Sequence, residues 1–150
     1  MTRYVLLAAA ASLAACESAP PPSTYTGTCI YEPSETSKDD VFARARVGQE
    51  SRSALEANSQ SYVTPNKTYN PEPNYPVGAL ACAIDADCYV AFDVTVDGRT
   101  ENAVAACTSR MFETAAVASV YRFIYDPMQV DGKAVASPDH GAVIRFRLAE

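Results

Sequence analysis

Cys88, Val90, Phe92, Val94 and Val96 alternate with Tyr89, Ala91, Asp93, Thr95 and Asp97. A two-residue period puts one set of side chains on each face of a strand, so this chain must own a sheet with a face to bury. Asp97-Gly98 closes the strand with a hairpin turn, glycine supplying the positive φ. Thr100 to Cys107 returns as an alanine-rich second strand. Phe112, Ala116, Val120 and Phe123 share one helical face, which predicts an amphipathic helix over Phe112 to Phe123, stopped by Asp126-Pro127. Asp131-Gly132 is a further turn. Val143 to Leu148 reads as a last strand, with Ile144, Phe146 and Leu148 inward and Val143, Arg145 and Arg147 outward. Alanine-rich Val77 to Ala86 is expected to be a short helix. The order predicts an α+β fold, a three-stranded antiparallel sheet with helices packed on one face.

The preceding residues, 25–71, are expected to be a poorly defined helical or extended region. Ser37 to Ser59 shows weak helical periodicity. It reads as one helix or two short ones, loosely attached, started by Ser37 or Lys38-Asp39-Asp40 and interrupted at Gly48. Tyr62 to Pro76 carries Pro65, Pro71, Pro73 and Pro76, so it is expected to be extended or polyproline-like.

Residues 1–15 read as a signal peptide. Arg3 supplies positive charge, and Tyr4 to Ala15 is an apolar and small-residue run too short to span a membrane. It ends in Leu13-Ala14-Ala15-Cys16, which resembles a lipobox, with Cys16 the lipidated residue. Residues 16–24 then form a Pro/Ser tether. This reading exports the chain and attaches it to a membrane through acyl chains of the palmitate type. A formal net charge of −6 and no basic cluster argue against a nucleic-acid partner.

Four further cysteines remain: Cys29, Cys82, Cys88 and Cys107. An even number in an exported chain points to two disulfides, with three possible connectivities. No CxxC pair favours zinc, and no cofactor or metal is expected. There is no catalytic constellation either. His140 is expected to be a solvated loop residue, and Ser137, Asp139 and His140 stand too close in sequence to align as nucleophile, orienter and base.

Residues 72–148 resemble the C-terminal domain of the TonB energy-transducer family. Glu72-Pro73-Asn74-Tyr75-Pro76 is similar to its Pro-x-Tyr-Pro entry motif, and Val90 to Val94 with Asp97-Gly98-Arg99 to its first hairpin. Asn102 stands in the returning strand. Met111-Phe112-Glu113 with Ala115-Ala116 resembles the start of its helix, and Tyr121 to Pro127 its aromatic-Arg-aromatic run. Asp131-Gly132-Lys133-Ala134-Val135 and Ile144-Arg145-Phe146 are similar to its closing elements. The chain departs from the family in three ways. A lipid anchor replaces the transmembrane coupling helix, the tether is short, and two residues differ, Ala86 standing where a Gly is usual before the first strand and Phe123 where a Trp is usual. Counting back from Asp97-Gly98 brings Cys88 opposite Cys107 or within one residue of it. That favours Cys88–Cys107 with Cys29–Cys82, while a Cys82–Cys88 loop stays open.

The resemblance implies that the last strand grips an extended peptide by β-augmentation, as family members grip N-terminal peptides of outer-membrane receptors. Val143, Ile144, Arg145, Phe146, Arg147 and Leu148 are therefore the candidate partner-binding edge. The competing reading of Arg145 and Arg147 is that they guard an edge against aggregation. The expectation is a non-catalytic envelope lipoprotein, facing the periplasm from the outer membrane, that binds receptor peptides or other envelope proteins. The alternatives are a structural protein that pairs with itself as a homodimer, or a true transducer whose N-terminus stays uncleaved.

Overall fold

The computed structural model describes Cys29 and residues 31–148. The signal segment, Cys16 and the tether lie outside the described residues. Helix α1 (Lys38–Asn58) starts at Ser37, whose hydroxyl accepts the Asp40 N–H at 3.0 Å, and Asp39 and Asp40 sit at the positive end of the helix dipole. Two short strands follow, β1 (Tyr62–Val63) and β2 (Asn66–Tyr69), then helix α2 (Val77–Ala81). Strands β3 (Ala86–Val94) and β4 (Thr100–Cys107) form the hairpin. A 3₁₀ turn, Arg110–Phe112, leads into helix α3 (Glu113–Val120). The chain ends in β5 (Ile124–Asp126), β6 (Met128–Val130), β7 (Lys133–Val135) and β8 (Ser137–Phe146).

The principal sheet is three-stranded and antiparallel, in the order β4-β3-β8. Hairpin, helix and closing strand therefore follow in the order that the sequence resemblance implies, and the fold is α+β. The alternation in β3 sorts its two faces. Cys88, Val90, Phe92 and Val94 are fully buried on an inner face against Phe112, Ala116, Val120, Phe123 and Phe146. Each buried Phe is worth about 1.5–3 kcal/mol of transfer free energy. The rings interlock, Phe112 and Phe146 at 4.8 Å between centroids and Tyr75 edge-on to Phe112 at 5.4 Å.

The outer face of β3 carries Tyr89, Ala91 and Asp93, and α1 lies across it with Val41 packed on Ala91 and Ala106. The sheet is thus covered on both faces, where a layer on one face and a loosely attached helix were expected. Gly48 does not interrupt α1. It is buried and lets the helix settle onto Pro138 and Asp139, whose atoms would overlap any Cβ placed there.

Four boundaries also differ from expectation. Helix α2 ends at Ala81 rather than Ala86, because Ala83 turns into the left-handed region (φ 50°) and Ala86 enters β3 as a buried residue. Helix α3 stops at Val120, well before Pro127, since Ile124–Asp126 is drawn into pairing with β2. The last strand begins at Ser137 and ends at Phe146, so Arg147 and Leu148 lie beyond it. Leu148 is not an inward strand residue: its N–H donates to the Asp85 carboxylate at 3.0 Å. His140 is not in a loop but in β8, opposite Phe92.

The Pro-containing stretch is extended, and its short strands pair at margins: β1 with β6, itself paired with β7, and β2 with β5. Gly98 (φ 78°) makes the hairpin turn and sits against Tyr125, whose N–H donates to the Gly98 carbonyl at 2.9 Å. Disulfides join Cys88 to Cys107, directly opposite in the hairpin, and Cys29 to Cys82.

Candidate functional site

A sheet of three strands has two edges, and these two are not alike. On the outer edge of β4 the Cys107 N–H donates to the Ser34 hydroxyl at 2.6 Å, and the Ala103 N–H reaches the Tyr121 hydroxyl at 3.4 Å. Residues 31–36 run past that end of the strand, Ser34 N–H meeting the Cys107 carbonyl. Strand β8 is different. Its inner edge pairs with β3 from Phe146 back to Ser137, and among the described residues no backbone group pairs with the outer edge from Gly141 to Arg145.

The shape of β8 is set at Asp93. Both neighbours of β3 slip register there, and the slip puts Asn102 in β4 (φ 52°) and Asp139 in β8 (φ 55°) into the left-handed region. The Asp93 carboxylate collects the bulge, accepting the Asp139 N–H and the Asn102 side-chain amide, each at 2.8 Å. Arg44 of α1 closes the cluster. It donates to Asp93 at 2.9 Å, to the Asp139 carboxylate, and to the Asn102 carbonyl at 2.8 Å. Burial works against the Asp93 carboxylate, but these donors outweigh it and hold its pKa below the usual range. Arg52 adds a contact to the Pro138 carbonyl. The helix is thereby fixed over the first half of β8.

Between α1 and the rest of β8 runs a groove of about 800 Å³, open along the free edge. Its floor is Tyr89 and Val143, which face each other in register, with Gly141 beside them; its wall is Phe42, Arg46 and Gln49. The predicted edge residues divide accordingly. Val143 is 46% exposed in the groove, and Ile144 and Phe146 are buried beneath the strand. Arg145 projects outward with its side chain 70% exposed, 3.9 Å from Asp87. Arg147 bonds Asp87 at 2.5 Å and the Ala86 carbonyl at 3.0 Å, and so ties down the end of the sheet.

His140 and Ser137 do meet, Nε2 to Oγ at 2.7 Å. The serine is fully buried and Asp139 turns to the opposite face and Arg44, so no orienter backs the histidine and no substrate reaches the hydroxyl. The His140 ring stacks at 5.8 Å on Phe92, and burial lowers its pKa to about 4 with help from Arg52. Among the described residues no cluster of His, Cys, Asp or Glu is placed to hold a metal, and no helix is long and apolar enough to cross a membrane.

Sequence reasoning missed Arg44, Arg46, Phe42 and Gly48. The available signal was Asp93, a carboxylate between the apolar Phe92 and Val94 of a strand, which calls for a cation or donors from elsewhere in the chain.

No protein-family model matches the chain, and no curated protein matches it. Solved structures similar to it include the solution structure of the Pseudomonas aeruginosa TonB C-terminal domain. That likeness has 24% identity over 62% of this chain and 92% of the other, with a TM-score of 0.48. A structure of the TonB2 protein of Vibrio anguillarum is 29% identical over 63% of this chain and 87% of that one, with a TM-score of 0.43. Both are TonB proteins.

Proposed function

We propose that this chain is a non-catalytic, lipid-anchored envelope protein that binds an extended peptide of a transport or receptor protein along the outer edge of β8. The observation that carries the reading is the unpaired backbone of that edge between Gly141 and Arg145, against a β4 edge on which Cys107 and Ala103 already donate to side chains. Main-chain hydrogen bonds supply affinity in such pairing, and alternate side chains supply selectivity. The sequence resemblance to TonB and the lipobox-like Cys16 support a partner and an anchor in the envelope, with the outer membrane the favoured side.

The test is titration of isotope-labelled chain with synthetic N-terminal peptides of outer-membrane receptors, following backbone amides by NMR. Shifts concentrated in residues 137–146 are expected, and shifts centred on β4 or none at saturating peptide overturn the reading. Mass spectrometry of the purified chain checks the anchor, which requires a mature N-terminus at Cys16 carrying acyl mass.

A further inference from the structure

Helix α1 presents two stripes. Val41, Arg44, Gly48 and Arg52 face the sheet and are spent in docking: Arg44 is neutralised by Asp93 and Asp139, and Arg52 is held at Pro138. Phe42, Arg46 and Gln49, spaced at i, i+4 and i+7, face the groove, whose inner side Val41 and Arg52 also line. We propose that this second stripe makes α1 the specificity element of the β8 edge, selecting extended segments that carry apolar and acidic residues in turn at every second position. The inference rests on the edge-pairing reading and adds to it the chemistry of the partner.

A strand added to β8 would send every second side chain to the α1 side. The first surface it meets there is apolar. The Phe42 ring lies 4.9 Å from Tyr89, and Val143 opens beside them. Lys38 caps this aromatic pair, its ammonium 4.1 Å from the Tyr89 ring centroid. The next surface is cationic. Arg46 is exposed and makes no ion pair with another described residue. Arg145, on the same side of β8 as Val143, shares Asp87 with Arg147, which holds that carboxylate more closely. The one acidic residue lining the groove, Asp39, belongs to the first turn of α1 and stabilises the helix start.

The groove is therefore locally positive on a chain whose net charge is −6. A second copy pairing through the same edge would set Arg46 and Arg145 against a like-charged surface, which a two-fold interface repeats twice. An acidic partner gains from that field both in encounter rate and in discrimination.

The experiment uses the full chain in detergent with three fluorescent ten-residue probes: a Val-Glu probe and a Val-Lys probe, in which Val and the charged residue take turns at every second position with Ser between them, and the Val-Glu probe N-methylated at every amide. Anisotropy at low salt should show the Val-Glu probe binding at least tenfold more tightly than the Val-Lys probe. Arg46→Glu should erase or invert that preference. Arg99→Glu, the same charge change at the distant hairpin turn, should keep it. The methylated probe should bind poorly, because it cannot pair along its length. Loss of preference in both variants, or its survival in Arg46→Glu, overturns the role of α1 while backbone dependence keeps the edge reading. Equal binding by the methylated probe, or binding by none, overturns the edge reading and this inference together.

Discussion

Asp93 shows how one side chain can organise several strands. A carboxylate in the middle of a buried strand costs free energy unless donors surround it, and here they come from β4, β8 and α1. His140, three positions into β8, obeys the opposite logic. It is packed between Phe92 and Tyr125 and stays neutral, with its pKa lowered to about 4 chiefly by burial. The unfolded chain protonates a histidine near pH 6.5. Between about pH 6.5 and 4 the unfolded state therefore binds more protons, so stability falls as pH falls through this window and levels off below it. The expected loss is of the order of 2 kcal/mol after allowing for partial solvent screening. His140→Gln should flatten the dependence of the thermal midpoint on pH across that window, and an unchanged slope would assign the effect elsewhere. The Asp93 contribution lies lower, present above the usual carboxylate pKa and lost as pH drops beneath it.

At the level of elements, legibility followed the amount of apolar pattern. β3 could be read because its inner face buries every second residue, and its turn because Asp97-Gly98 demands a positive φ. The stripe Phe112, Ala116, Val120 and Phe123 was right as a buried face although the helix beneath it is shorter than the stripe. The first half of β8 was hidden because Pro138, Asp139 and Gly141 break the alternation where the strand bulges. The docking of α1 was hidden for a different reason. Only Val41 and Gly48 are buried on it, and much of the remaining attachment is Arg44, Arg52 and Phe42 reaching residues far away in sequence. Gly48→Ala tests this. In an isolated helix the change stabilises by about 1 kcal/mol. Here the new methyl group would meet the Pro138 carbonyl at 2.7 Å and overlap Asp139, so a net loss of about 1–3 kcal/mol is expected in urea unfolding. A gain would mean that α1 does not rest on β8 in this way.

Across the whole molecule, two disulfides divide the chain unevenly. Cys88–Cys107 closes 19 residues and staples a hairpin that already pairs, while Cys29–Cys82 closes 53 and encircles α1, β1 and β2. Loop-closure entropy alone makes the larger ring worth about 4 kcal/mol. The double replacement Cys29→Ser with Cys82→Ser is expected to lose about that amount. Hydrogen exchange should then quicken in α1 while β3 and β4 keep their protection. Equal quickening in all three would show that the ring stabilises the sheet rather than the helix. The hairpin was legible because its two strands are adjacent in sequence on either side of Asp97-Gly98. The second layer was not, because it depends on contacts across the width of the fold.

The larger ring also sets a mechanical route. Tension applied to the chain ahead of Cys29 does not travel through α1. It passes across the sulfur bridge to Cys82 and reaches β3 only a few residues later. There the second bridge shares the load with β4 through Cys107. The helix that walls the groove lies on a bypass of that path, so a pull ahead of Cys29 loads the sheet's central strand without first being carried through the helix.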